Sequence, residues 1–574
     1  MMTQKAKKSQ ITDPAAKDHG KWGISPEKLN VLWIWAALIF MITVYEPSSI
    51  YFTERTEFWF DYYILFSRCL GMFAVLFLFS SLVILLLLLL FDRFPKLCTI
   101  INGSSLGLFV ALYIQGNFMT NDLPVISGGA VDWSAYGKQI IHSYILWIVC
   151  IVAGILASHL LHQKKIQGRA FRYIGVIGLI FFGLTAFLLG IQNKGFAKNA
   201  VQVSTTKDLW DYSGEENFVI FVVDSVDSDV EERVLREYPK FEETFRDFTD
   251  YTNVLSAYPY TQWALPFIVS GNWYEYDQDF EEYIGECYTQ NALVDRLKNE
   301  GYKLDLYTNE SPYRSHDMSM YGNILTETGK LKSNIAFCKL WLRLVGFKYA
   351  PYSLKRYSQI FDWEFDQIGE NTTDYPMILF YESNIRLYED ICNEEVDKNL
   401  VAEKCFKVIH VEGAHLPMWY HEDLSFNYGV PTTYYENVVA CNTLVKAYID
   451  ELKRLGVYDN TILVITADHG FNEEEGDVYY GRQHPFLFVK GLNENHDAMI
   501  RNDAPVSHED FGDMYQNLLD GCGSNEISAY HEGDTRTRRY LWCNDTDATG
   551  FVESYTTGHA RDTEALTESG VRYP

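Results

Sequence analysis

The chain has 574 residues and a formal net charge of −28. That length exceeds what one core supports, so at least two structural units are expected. That charge excludes a nucleic-acid partner, because phosphate backbones are bound by basic surfaces. A mean hydropathy of −0.12 conceals a division: the first third is strongly apolar, and the remainder is acidic and polar. The ten cysteines include no CxxC pair, so neither a zinc ribbon nor a thioredoxin-like motif is supported. Seven of them lie beyond the apolar third, an odd number, and Cys522 and Cys543 flank a polar segment that a disulfide could close.

After a basic tail (1–28), five apolar runs predict a membrane domain over 29–192. They are Leu29–Tyr45, Cys69–Phe91, Cys98–Phe118, Ile140–Leu161 and Tyr173–Ile191, each close to the ~20 residues that a helix needs to cross the hydrocarbon core. The third is diluted by Asn102, Gly103, Ser104 and Ser105. Lysines and arginines crowd the tail and the links after the second and fourth runs, whereas the other links carry only Arg55 and Lys138. By the positive-inside rule the N-terminus is expected in the cytoplasm, and everything after Gln192 outside it. No cleavable signal peptide is expected, since the apolar run begins late and lacks a small-residue cleavage site. Residues 193–216 read as a juxtamembrane linker with a short surface helix.

From Asn217 the pattern alternates between strand and helix, predicting an α/β sandwich around a largely parallel sheet over 217–520. Asn217–Asp224 (NFVIFVVD) is a buried-type strand ending in a carboxylate. Asn291–Asn299 and Tyr434–Leu455 read as helices, Tyr302–Tyr307, Met377–Phe380, Phe406–Val411 and Phe486–Val489 as strands, and Asp510–Leu519 as a further helix. Ile462–Thr466 is a second buried-type strand, leading into Asp468-His469-Gly470. A carboxylate and an imidazole at the carboxyl end of such a strand stand where open α/β sheets bind ligands, and both are metal ligands. Between these two strands, Thr261 precedes an apolar turn whose Pro266 suits a helix start. Alone, that threonine reads as a helix cap; beside a metal its hydroxyl becomes a nucleophile. Residues 521–574 read as a polar, turn-rich, acidic extension.

The order strand–Asp224, Thr261, Asp468-His469-Gly470 resembles the alkaline phosphatase superfamily. Within it, the chain resembles the sulfatase-like membrane enzymes that include lipoteichoic acid synthases and phosphoethanolamine transferases, which have five spans followed by an extracytoplasmic α/β domain. The resemblance implies that Asp224, Thr261, Asp468 and His469 hold one divalent cation, manganese ahead of magnesium or zinc. The run Val408–Pro417 (VIHVEGAHLP) resembles the family's substrate loop, whose histidine falls on His415, and Gly481–Gly491 resembles the strand after the Asp-His pair. Arg482 and His484 are further candidate substrate contacts. Two departures matter. Thr261-Gln262-Trp263-Ala264-Leu265 lacks the C/S-x-P-x-R pattern that sulfatases convert to formylglycine, which disfavours sulfate-ester hydrolysis. Lipoteichoic acid synthases also place a glutamate where Asp224 stands.

The activity so implied is transfer of a phospho-alcohol group, glycerol phosphate first, from a membrane lipid to a surface glycan or teichoic-acid-like acceptor. The chemistry would run through phosphothreonine at Thr261 in a bacterial plasma membrane, with His415 moving a proton or touching phosphate. The alternatives are a phosphoethanolamine transferase, whose relatives have disulfide-rich outer domains, and a phosphoester hydrolase. A non-catalytic scaffold is disfavoured because all four metal-site residue types are present. A transporter is disfavoured by the few charges in the spans.

Overall fold

The apolar first third and the acidic remainder fold as two units. The computed structural model describes residues 28–573 except 54, 56–57, 59, 92–93, 121–122, 124–130, 132, 199–200, 309–315, 328–329, 362–363, 365–367, 371–374, 377, 379, 394–397, 427–429, 472–481 and 543–549. Of the described residues, unit 1 takes in those up to 123, 131–198 and 333–360, and unit 2 takes in those of 201–332 and 361–573.

Among the described residues, unit 1 contains five helices long and apolar enough to cross a membrane: Val31–Thr53, Tyr62–Leu90, Pro95–Phe118, Trp133–Gln163 and Gln167–Gln192. Each extends past its apolar run, because a helix continues beyond the hydrocarbon core wherever its residues tolerate helical geometry. The first widens into a π-helical stretch at Met41–Tyr45, just before Glu46-Pro47. A proline ring clashes with the carbonyl four residues back, and the wider turn relieves that clash. The polar residues that dilute the third run serve helix packing. A Cβ on Gly103 would lie 2.5 Å from the Ile155 Cα, so two backbones touch where a side chain would part them. Trp35 Nε1 donates to Ser105 Oγ (3.0 Å), and Ser158 Oγ donates to the Thr99 carbonyl (2.8 Å).

The strand and helix pattern places Ser333–Ile360 in the outer domain, yet the segment packs within unit 1. Its helix Asn334–Tyr349 buries Phe337, Leu340 and Trp341, and Lys348 and Tyr349 both bind the buried carboxylate of Glu46. An apolar helix carries no label for its partner, so local pattern could not make this assignment.

Unit 2 is built on a seven-stranded sheet. In chain order the strands are β1 (Asn217–Val223), β2 (Thr249–Tyr251), β3 (Tyr302–Tyr307), β4 (Lys404–Val411), β5 (Thr461–Thr466), β6 (Leu487–Lys490) and β7 (Ile500–Asn502). Their spatial order is β7-β2-β6-β5-β1-β4-β3, with β6 antiparallel to both neighbours and the other pairs parallel. Helices cover both faces, which is why β1 and β5 read as continuous apolar runs. Val219, Phe221, Leu463 and Ile465 face the helix Tyr434–Leu455, while Phe218, Ile220, Ile462 and Val464 face the helices Thr261–Ser270 and Phe511–Leu519.

Three readings need correction. No helix forms in the described part of 199–216; Val201–Ser204 pairs antiparallel with Ile324–Glu327, and Asp211–Ser213 pairs parallel with Asn399–Val401. Trp210 and Tyr212 are buried there, so apolar anchoring within unit 2 replaces a linker. In the run Met377–Phe380, residues 377 and 379 lie outside the described residues, and Phe380 opens a 3-10 turn, Phe380–Glu382, instead of closing a strand. The extension after 520 forms an antiparallel sheet of Arg538–Trp542, Val552–Thr556 and Thr567–Arg572. Its Leu541 and Phe551 pack on Trp263 and Phe267, and buried Arg538 donates to the carbonyls of Asn253 (2.8 Å) and Val506 (2.9 Å). Every cysteine among the described residues is a free thiol, Cys522 included; Cys543 lies outside them.

Glu231, on the helix Ser228–Glu237, is buried and accepts from Asn442 Nδ2 (2.7 Å); burial pushes its carboxyl up to about 8. Folded protein therefore holds a proton that unfolded chain releases above about pH 4.3, so stability falls as pH rises from there through 8. Glu231→Gln is expected to flatten that decline in the thermal unfolding of the full chain in detergent. The variant's midpoint should exceed the parent's at pH 9 and differ least at pH 5; a lower midpoint at pH 9 would contradict the assignment.

Candidate active site

The adjacent parallel strands β5, β1 and β4 bring their carboxyl ends together. Asp224 directly follows β1, Asp468 stands two residues beyond β5, and His410 is the penultimate residue of β4, in register with Val222. All three are buried, and their ligating atoms lie within 4.8 Å of one another. Thr261 Oγ1 donates to Asp224 Oδ2 at 3.0 Å, and His410 Nε2 is 3.3 Å from the same oxygen. Ser225 Oγ donates to Asp224 Oδ1 at 2.6 Å. Asp468 Oδ1 accepts the backbone N–H groups of Ser225 (3.1 Å) and His469 (2.9 Å).

This donor set fits a divalent cation. Asp468 Oδ2 is buried without a hydrogen-bond partner, an arrangement that normally requires an unseen one. His469 Nδ1 lies 2.9 Å from the Gly470 carbonyl, which can only accept, so Nδ1 carries the proton and Nε2 a lone pair. That Nε2 is 3.4 Å from Asp468 Oδ2, two electron-rich atoms that a cation between them would reconcile. Burial lowers the His469 pKa against the opposing charge of Asp468, keeping the ring neutral and able to ligate. Burial alone would raise the Asp224 carboxyl. His415 and the His410 hydrogen bond outweigh it and hold that group well below the usual carboxylate range.

Backbone geometry shapes the site. Ser225 adopts a φ of +58°, uncommon for a residue with a side chain and concentrated at functional sites. Gly413 has φ +62°, and a Cβ there would lie 2.3 Å from the Asp224 carbonyl oxygen and 2.4 Å from its nitrogen. Asn384 clamps Gly413 from the other side, donating to its carbonyl (2.8 Å) and accepting its N–H (2.9 Å). Thr261 is the first residue of the helix Thr261–Ser270 and is only half buried, so its hydroxyl sits at the positive end of a helix within reach of solvent. Pro266 falls mid-helix rather than at its start.

The other sequence candidates divide. Arg482 donates to the Pro259 carbonyl (2.9 Å) and lies over the Tyr260 ring, 5.4 Å from its centroid, in the turn that delivers Thr261. The His415 ring packs on Phe380 at 5.4 Å and exerts its charge on Asp224. The contacts of His484 run elsewhere: Nε2 to the Thr252 carbonyl (3.0 Å), Nδ1 3.8 Å from Asp229, and the ring against His559. It falls in a second group with Asp227 and Asp229. Sequence reasoning missed His410 and His508. A histidine inside the apolar run Phe406–Val411 is the signal for the first, since such a strand buries every side chain. His508 is buried with Nδ1 3.4 Å from the Ala257 N–H, and burial pushes it down to about 3.

The family model described as Sulfatase matches residues 216–514. No match to a curated protein was found. Solved structures similar to this chain include an alkaline phosphatase superfamily protein from Vibrio parahaemolyticus at 13% identity, TM-score 0.34, covering 65% of this chain and 85% of that one. The periplasmic domain of EcEptC from Escherichia coli is similar at 13% identity, TM-score 0.30, covering 62% and 92%. The PsFucS1 sulfatase from Pseudoalteromonas sp. is similar at 12% identity, TM-score 0.36, covering 62% and 83%. Likeness at this level carries no correspondence between individual residues.

Gly413→Ala should damage the site out of proportion to its size, because backbone cannot yield as a side chain tip can. The expected result is loss of at least about 3 kcal/mol of stability, from strain and displacement of Asp224 together. Thermal unfolding of the full chain checks this, and an unchanged midpoint would show that Gly413 does not hold Asp224 in place.

Proposed function

The chain belongs to the sulfatase family, and on that premise we propose that it transfers glycerol phosphate from a membrane lipid to a hydroxyl of a surface glycan. Membership places it among metal-dependent enzymes of phosphate- and sulfate-ester chemistry. The observation that carries the finer reading is Thr261 itself. A threonine, not the cysteine or serine that matures to formylglycine, stands at a helix N-terminus with its hydroxyl on Asp224 (3.0 Å).

In the first half-reaction Thr261 Oγ attacks phosphorus, the bond from phosphorus to the diacylglycerol oxygen breaks, and the threonine proton leaves with diacylglycerol. In the second, an acceptor hydroxyl forms the new ester bond, and Thr261 regains a proton as its bond to phosphorus breaks. Asp224, His410, Asp468 and His469 would hold one cation, manganese first, which lowers the pKa of the hydroxyl and offsets charge on the phosphoryl oxygens. The helix N-terminus and the Arg482 guanidinium face that charge from the protein side. His415, beside Asp224, is the group for proton transfer to the leaving oxygen.

The five helices suit a donor that stays in the bilayer, and we place the N-terminus in the cytoplasm and unit 2 outside it on the lysine and arginine distribution. Free thiols at every described cysteine favour glycerol phosphate over phosphoethanolamine as the group moved, since the disulfide-rich pattern of the latter enzymes is not met there.

The test follows diacylglycerol release by the full chain in mixed micelles with manganese, offering phosphatidylglycerol or phosphatidylethanolamine. Release from phosphatidylglycerol is expected, with Thr261→Ala lowering the rate at least about a thousandfold and leaving thermal unfolding unchanged. An active Thr261→Ala protein would refute the covalent route, and release from phosphatidylethanolamine alone would change the donor.

A further inference from the structure

The segment Ser333–Ile360 is joined at both ends to the chain of unit 2 but packs within unit 1. Its helix Asn334–Tyr349 is apolar on two sides. One side is buried: the Trp341 ring stacks on Phe58 at 6.1 Å, Phe337 meets Phe60 edge-on at 5.8 Å, and Phe347 meets Trp133 at 6.3 Å. The other side presents Ile335, Lys339 and Leu342, spaced i, i+4, i+7 and therefore one stripe. Ile335 is 83% exposed. The 3-10 turn Tyr352–Tyr357 continues the pattern with exposed Leu354, Arg356 and Tyr357. Exposed apolar residues flanking a cation on one stripe suit a membrane interface, and no core covers this stripe in unit 1 among the described residues.

Charge points the same way. Ser333–Ile360 carries Lys339, Arg343, Lys348, Lys355 and Arg356 and no aspartate or glutamate, in a chain whose net charge is −28. Three of these cations have partners within the unit: Lys348 binds Glu46, Lys355 binds the carbonyls of Phe347 and Lys348, and Arg343 binds the Gln359 carbonyl. Lys339 and Arg356 stand exposed among Leu342, Leu354 and Tyr357. Apolar side chains beside long cationic ones, with an aromatic at the edge, form the composition that lies in a bilayer interface. The stripe also belongs to the same unit as the spans, whose helix Tyr62–Leu90 exposes Val75, Leu78 and Phe79 as a lipid-facing surface does.

We infer that Ser333–Ile360 is a bilayer-interface element that binds anionic phospholipid head groups. Ile335, Leu342 and Leu354 enter the acyl boundary, Tyr357 sits at head-group depth, and Lys339 and Arg356 meet the phosphates. Lys348 and Tyr349, bound to Glu46, fix the element to the first span. The inference holds whichever ester the enzyme cleaves.

A photoreactive phenylalanine analogue placed at Ile335, at Leu342 or, as a control in unit 2, at the exposed Leu400 tests it. The full chain is reconstituted in vesicles of equal parts phosphatidylcholine and phosphatidylglycerol, and lipid adducts are counted by mass spectrometry. Adducts are expected at Ile335 and Leu342 well above Leu400, and enriched in phosphatidylglycerol over its share of the vesicle. Lys339→Glu with Arg356→Glu should lower the ratio of phosphatidylglycerol to phosphatidylcholine adducts about tenfold. Yields at Ile335 and Leu342 no higher than at Leu400 would overturn the inference. So would adducts that mirror the bulk lipid and ignore the charge reversal.

Discussion

Asp224 ends a strand buried on both faces, where no water is available to solvate its charge. An isolated carboxylate in that position would take up a proton. Here His415 and the His410 hydrogen bond keep it ionised, Ser225 and Thr261 donate hydrogen bonds to it, and the second carboxylate, Asp468, lies within ligating distance. Much of unit 2 serves to hold this one group. The sheet order places β4 and β5 on either side of β1, Gly413 fits against the Asp224 backbone where no side chain could, and Asn384 fixes Gly413. The result is a negative, preorganised pocket that suits a divalent cation and a threonine hydroxyl polarised toward it.

What could be read in the sequence depended on how local the determining physics is. The two buried strands and their terminal aspartates announced themselves because burial on both faces forces an uninterrupted apolar run, and a charge that stops such a run stands out. The five spans were visible for the same reason, over a longer period. His410 escaped because one imidazole inside a strand of Lys404–Val411 does not interrupt its pattern; only the neighbouring strand shows that it faces Asp224. His484 lies in the stretch Gly481–Gly491 that resembles the strand after the Asp-His pair, yet its own contacts are with Thr252 and Asp229.

The remaining surprises all involve partners distant in the chain. The short strands Val201–Ser204 and Asp211–Ser213 have no periodicity of their own and exist because Ile324–Glu327 and Asn399–Val401 meet them. The C-terminal sheet looks polar because it is small; its apolar contribution is concentrated in residues such as Leu541 and Phe551, which seat the helix Thr261–Ser270 through Trp263 and Phe267. The insert Ser333–Ile360 joins the membrane unit through Glu46, a residue that reads as a loop acid until its two partners arrive. In each case one side of an interaction is legible and the pairing is not.

The most direct measurement is peptide mapping of the full chain after brief incubation with manganese and phosphatidylglycerol and an acid quench. The account predicts a glycerophosphate ester on Thr261, found in the peptide that holds the first turn of its helix. Sustained release of diacylglycerol with Thr261 unmodified at every time point would contradict it.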